Sequence, residues 1–183
     1  DDLDNLIDKV KIFKVHFAVL DIRQNHTVHL NTVEAIFRQN KRIENSIEEL
    51  DRDELISILL FEDLQVNVDD YNDELIKDTI RTIAQLQQIQ ERNGEEGCNR
   101  YIISNSEDIF SVLFVYGLLR WCSGGKEEIK MDIVPLFESM AGMANSEHIM
   151  RELFEIEKYR DHVHLRNNTQ TVMLGFSDGT KDG

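Results

Sequence analysis

Proline occurs once in the 183 residues, at Pro135, and none of the nine glycines comes before Gly94. A first half without either residue suits a helix-rich stretch. Cysteine is as scarce: Cys98 and Cys122 stand far apart with no neighbouring cysteine, which excludes a redox or cysteine-based zinc motif. Reduced intracellular thiols are the expectation. Basic residues number 20 against 35 acidic ones, a net charge of −15, and this argues against nucleic acid as a partner, since such binders cluster Lys and Arg. No apolar run approaches the roughly 20 residues a bilayer crossing needs. No signal peptide or lipidation motif is visible either, so no membrane association and a cytoplasmic location are expected. What is present, 41% apolar and 30% charged residues, is enough for one globular domain with a buried core.

The acidic excess is concentrated. Between Glu44 and Asp78 thirteen acidic residues face only Arg52 and Lys77, a local balance of −11. This stretch is expected to be a solvated outer face, away from any site that must attract anions. Helical spacing runs from about Asp73 to Arg92, with Ile76, Ile80 and Ile83 on one face and Ile89 close to it. Leu3, Leu6, Ile7 and Val10 form a shorter stripe, and Asp51 or Asp53 is placed to cap a helix through Leu55, Ile58 and Leu59. From Ile109 to Trp121 the pattern is apolar almost all round, the mark of a helix covered on several sides. Core packing is the preferred reading there, and a partner-binding surface the alternative.

Four segments share one grammar: a short apolar run, then polar residues, then a helical pattern. They are Val15–Leu20 leading to Asp21-Ile22-Arg23-Gln24, Tyr101–Ile103 leading to Ser104, Ile133–Phe137 leading to Glu138, and Val172–Leu174 leading to Gly175 through Gly183. Apolar strands alternating with helices indicate a parallel sheet buried on both faces. In such sheets the groups at the carboxyl ends of the strands carry the function. Those groups are Arg23, Glu138, Asp178 and Lys181, two cations and two carboxylates expected on one rim. Residues 40–72 make the first interval far longer than an ordinary βα unit and read as an acidic helical elaboration.

At these residues a resemblance emerges. Leu20-Asp21-Ile22-Arg23-Gln24, Val134-Pro135-Leu136-Phe137-Glu138 and Val172 through Asp178 to Lys181-Asp182 resemble three successive motifs of the phosphoenolpyruvate carboxylase family, in the family's order. Tyr101-Ile102-Ile103-Ser104 resembles a fourth. The resemblance covers essentially the whole chain. It implies about four consecutive βα units of a (β/α)8 barrel, a helix-rich α/β half barrel over residues 1–183. It also implies a carboxy-lyase that joins bicarbonate to phosphoenolpyruvate to give oxaloacetate and phosphate, with Mg2+ or Mn2+ as cofactor. By the same resemblance Glu138 and Asp178 match metal-binding carboxylates, Arg23 an arginine on the substrate phosphate, and Lys181 a catalytic lysine near the substrates. The intact enzyme is expected to be a homo-oligomer.

The physical logic agrees, because a hard divalent cation takes few protein carboxylates and keeps room for substrate, while arginine grips phosphate through paired donors. A family histidine segment upstream and a glycine-rich arginine motif downstream have no counterpart. Phe176 stands where tyrosine is usual, and Gly179-Thr180 replaces a serine with a small residue. A complete barrel needs about 250 residues, so the sequence reads as an excised internal piece, inactive alone. Two other functions are weighed: a different Mg2+-dependent barrel acting on a phosphorylated or enolisable acid, and a non-catalytic segment that assembles through the 109–121 helix.

The histidines form no convincing zinc set. His26 with His29, and His162 with His164, lack cysteines or a third ligand and are read as surface or supporting residues. His16 is read as a satisfied residue inside the first strand. The run Asp69 to Glu74 lacks the glycine of a calcium loop and is read as a helix cap.

Overall fold

Most of the helices begin where a short polar side chain can take up free first-turn amides. The computed structural model describes residues 1–14, 16–123 and 128–175. The elements are α1 (Asp2–Phe13), β1 (Asp21–Asn25), α2 (His26–Gln39), α3 (Arg52–Phe61), α4 (Glu74–Asn93), β2 (Arg100–Ser104), α5 (Ile109–Cys122), β3 (Asp132–Phe137), α6 (Met140–Glu155), α7 (Glu157–Leu165) and β4 (Met173–Leu174). Asn25, Asp51, Asp73, Asp108 and Ser139 cap α2 to α6 in turn, each side-chain oxygen accepting a first-turn N–H. A cap of this kind stabilises a helix by about 1 kcal/mol. The Asp51 and Asp73 caps are the ones that the sequence pattern indicates.

The four strands form one parallel sheet in the order β1-β2-β3-β4. Register places Arg23 beside Ile102, Ile102 beside Val134, and Leu136 beside Met173. Side chains alternate across a strand, and the two faces here differ. Tyr101, Ile103, Ile133 and Phe137 belong to a large core that includes buried residues from α2 to α7. Ile102, Val134 and Leu136 form a separate small cluster with no helical member. The helices therefore cover one face, and Arg23, in register with Ile102, shares the other.

Helix α5 is the centre of that core. Every residue from Ser111 to Leu119, with Ile109 and Trp121, is buried by the chain itself, which leaves the interaction-segment reading of this helix without an exposed apolar face. The long β1–β2 interval packs on it. Leu55, Ile58, Leu59 and Leu60 of α3 are buried, while all thirteen acidic residues between Glu44 and Asp78 except the half-buried Glu62 are exposed. Arg120 donates to the carbonyls of Leu59 and Glu62, and Trp121 Nε1 donates to Glu62 O at 2.9 Å. Polar bonds thus tie α3's end to α5.

Three sequence expectations need correction. The first strand is not the apolar run before Asp21: residues 16–20 form an exposed or half-buried turn, with Phe17 at φ 62°, and Val15 lies outside the described residues. The strand is the polar segment Asp21–Asn25, because Ile22 enters the core and Asp21 pairs with Arg100 at 3.0 Å. His16 is accordingly a turn residue, packed against Gly97. The sheet is also less buried than expected at its edges, since β1 is half-exposed and both β4 residues are exposed. Finally, His29 and His162 are not surface residues. Both are buried, His29 against Tyr101 and His162 against Tyr116 and Tyr159. Helix α1 forms as its spacing indicates, yet Leu3, Leu6, Ile7 and Val10 stay exposed.

Candidate functional site

The carboxyl ends of β1, β2 and β3 each hand over directly to a polar turn. Asn25 ends β1 and caps α2; Asn105 follows β2; Glu138 follows β3 and precedes the Ser139 cap of α6. Gly175 follows β4 and donates its N–H to Phe137 O at 3.0 Å. Glu138 therefore sits between Asn105 on one side and Gly175 on the other. Its Oε1 accepts the Asn105 backbone N–H at 2.9 Å. Gly175 has to lack a side chain, because a Cβ there would stand 2.7 Å from Glu138 Cβ.

Arg23 reaches the same place from lower down. It lies within β1, two residues before the strand's end, and not beyond the carboxyl end as the sequence suggests. Its guanidinium Nη2 is 4.0 Å from Glu138 Oε2, with the Arg23 side chain 52% exposed and that of Glu138 14%. At this separation the pair is an electrostatic contact and not a hydrogen bond. Among the described residues no other carboxylate meets this guanidinium. Deeper on this face the Arg100–Asp21 pair balances its own charge, so it adds no net field at the rim.

Around Glu138 the turns are stapled. Ser106 N donates to Leu136 O at 3.1 Å, and Ser106 Oγ to Ile103 O at 3.0 Å. Ser139 Oγ donates to Glu107 Oε1 at 3.2 Å and accepts the N–H of Gly142 at 3.0 Å. Nearby, at the start of α2, burial pushes His26 below its ordinary value, with the carboxylates of Asp108 and Glu107 opposing the shift. The structure thus brings together Arg23 and Glu138 of the four residues singled out. Asp178 and Lys181 lie outside the described residues. Among the described residues no group of three or more His, Cys, Asp or Glu side chains is placed to hold a metal ion.

The family model for phosphoenolpyruvate carboxylase matches residues 1–183. The chain belongs to the phosphoenolpyruvate carboxylase family. It is 33% identical to the phosphoenolpyruvate carboxylase of Gloeobacter violaceus over 98% of the chain, and 31% identical to that of Nitrosomonas eutropha over 95%. Against that of Paraburkholderia xenovorans it is 30% identical over 99% of the chain. In each case it spans about a fifth of the relative's length, the coverage a piece of a longer enzyme gives.

Asn105 and Gly175, which flank Glu138, are residues that motif matching leaves without a role. Asparagine directly after an apolar strand is the available signal for Asn105, since it enters the left-handed region more readily than other non-glycine residues. No helix among the described residues is long and apolar enough to cross a membrane.

Proposed function

We propose that the chain supplies four βα units and half the active-site rim of a (β/α)8-barrel phosphoenolpyruvate carboxylase, which forms oxaloacetate and phosphate from phosphoenolpyruvate and bicarbonate. The observation that carries this is the convergence of Arg23 and Glu138 on the helix-free face of a parallel sheet, at its carboxyl end. Barrel enzymes place their chemistry at that end. Helices confined to one face, as here, leave the other face to line a barrel interior.

The residues present suit a divalent cation. Glu138 offers an oxygen donor, half-buried, with one oxygen held by a main-chain amide and the other without a hydrogen bond among the described residues. Mg2+ or Mn2+ favours such a donor and few others of its kind from protein. Glu138 would hold it together with Asp178, three residues beyond Gly175 in the sequence. When bound, the cation would supply electrostatic stabilisation of negative charge developing on the substrate.

The chain's own side chains do the rest. Arg23 binds the phosphate through two N–H donors, and the nearby Glu138 keeps its long side chain aimed at the rim. Lys181 adds a second cation beside the anionic substrates. Free thiols at Cys98 and Cys122 suit a reducing cytoplasm, and a homo-oligomer of the complete enzyme is the setting of this reading.

The test uses the full-length enzyme. Arg23→Ala is expected to raise the KM for phosphoenolpyruvate about ten- to hundredfold, the worth of a charge-assisted hydrogen bond or two. Glu138→Gln is expected to raise the Mn2+ concentration needed for half-maximal oxaloacetate formation. Unchanged KM and unchanged metal dependence in these two variants would remove the proposal.

A further inference from the structure

The two oxygens of Glu138 meet different surroundings. Oε1 is taken by the Asn105 amide, while Oε2 has, among the described residues, only the distant Arg23 guanidinium. The amide is aimed by backbone conformation: Asn105 has φ 57°, in the left-handed region, and its side chain is exposed. Asparagine tolerates that region better than most residues with a Cβ. The next residue fixes the turn, since Ser106 N is bonded to Leu136 O, two residues before Glu138. On the opposite side Gly175 closes against Glu138 Cβ. Glu138 is held from both neighbouring strands, its carboxylate by the Asn105 amide and its Cβ by the close approach of Gly175, and among the described residues Oε2 accepts no hydrogen bond.

We propose that Asn105 is a positioning residue, whose left-handed amide makes Glu138 a one-oxygen ligand for the divalent cation. This rests on the reading of Glu138 as a metal ligand given above. An oxygen already accepting a main-chain N–H is the poorer metal donor, so the cation meets Oε2 alone. Coordination positions that a bidentate carboxylate would fill then stay open for water and substrate. Partners that orient a ligand in this way commonly change metal affinity ten- to hundredfold when lost.

The experiment is Mn2+ titration of the full-length enzyme without substrates, with free Mn2+ read by electron paramagnetic resonance. Asn105→Gly keeps both the N–H and the left-handed backbone and is expected to bind Mn2+ within about twofold of the wild type. Asn105→Val is strained at positive φ and should swing the amide away, weakening Mn2+ about tenfold or more. If the Val variant fails to fold, Asn105→Ala strains the same dihedral less and should still weaken binding severalfold. Combined with Glu138→Gln, Asn105→Val should add nothing further, because the amide then has no carboxylate to place.

Unchanged affinity in Asn105→Val alongside a weakened Glu138→Gln overturns the positioning role alone. So does equal weakening by Val in both backgrounds, or loss in the Gly variant. No effect of Glu138→Gln removes the metal reading itself, and the positioning role with it.

Discussion

Acid should loosen this core through two histidines, and the size of the effect follows from their surroundings. Burial is the main reason that His29 is pushed down to about 3, with the neighbouring His26 adding to it. Burial likewise pushes His162 down to about 4; the Arg166 guanidinium assists and Asp132 opposes. Protonating His29 would place a charge on a buried ring whose Nδ1 has no hydrogen-bond partner among the described residues, while Nε2 shares a hydrogen bond with Tyr101 Oη at 3.0 Å. Both rings are therefore neutral when folded and charge freely at about 6.5 when unfolded.

The unfolded state then binds more protons between these values, so stability is full above about pH 6.5 and is lost as pH falls toward 4 and 3. At pH 5 each histidine lies about 1.5 units below its unfolded value, which costs about 2 kcal/mol apiece at 1.36 kcal/mol per unit. Together, about 4 kcal/mol is a large share of an ordinary domain stability. Hydrogen exchange of the slowest amides in β2 and α5, corrected for intrinsic rate, should lose roughly a thousandfold protection between pH 7 and pH 5. The His29→Gln/His162→Phe double variant should lose far less over the same interval, whatever its absolute stability. An identical slope in wild type and double variant would refute the reasoning.

Two further outcomes test the packing. Gly142→Ala would put a Cβ 2.8 Å from the Ser106 carbonyl oxygen, backbone that the staple to Leu136 holds in place; the clash should outweigh the roughly 1 kcal/mol helix gain and leave a net loss of about 1–2 kcal/mol in chemical denaturation, whereas a stabilised variant would show the turn to be soft. Arg166→Met strips the cation from Asp132 at 2.6 Å and Glu95 at 2.5 Å, and with Arg166 only 13% exposed the loss should be about 2 kcal/mol, reduced from the fully buried case by solvent around Glu95. Arg166→Lys should recover only part of it in the same measurement, because one ammonium replaces the Nε and Nη1 donors that reach the two carboxylates separately.

Where apolar periodicity and burial coincide, the fold is legible in the sequence. Tyr101–Ile103 and Ile133–Phe137 are strands because both of their faces are covered, and α5 is apolar all round because it is buried on every side. The first strand breaks the rule for a physical reason: its positions on the helix-free face, Asp21 and Arg23, are charged and face opposite charges across the sheet, so an apolar run is found only in the turn before it. Histidine burial is legible in part. His29 precedes Thr32, Val33, Ile36 and Phe37 at spacings of three, four, seven and eight on the buried stripe of α2, a pattern that outweighs its i, i+3 relation to His26.

The candidate site is legible only as far as its side chains carry it. Arg23 and Glu138 announce themselves by residue type, and their meeting across two strand intervals requires only a parallel sheet of the observed order. What holds Glu138 in place is a main-chain N–H and a missing Cβ, and neither has a chemical signature of its own in a sequence. Both depend on conformations that few residues accept, a left-handed turn at Asn105 and a close approach at Gly175. Substitution at such positions changes where a carboxylate points without changing which carboxylate it is. Metal affinity should accordingly respond to residue 105 through backbone geometry, with glycine, not a larger polar side chain, as its faithful replacement.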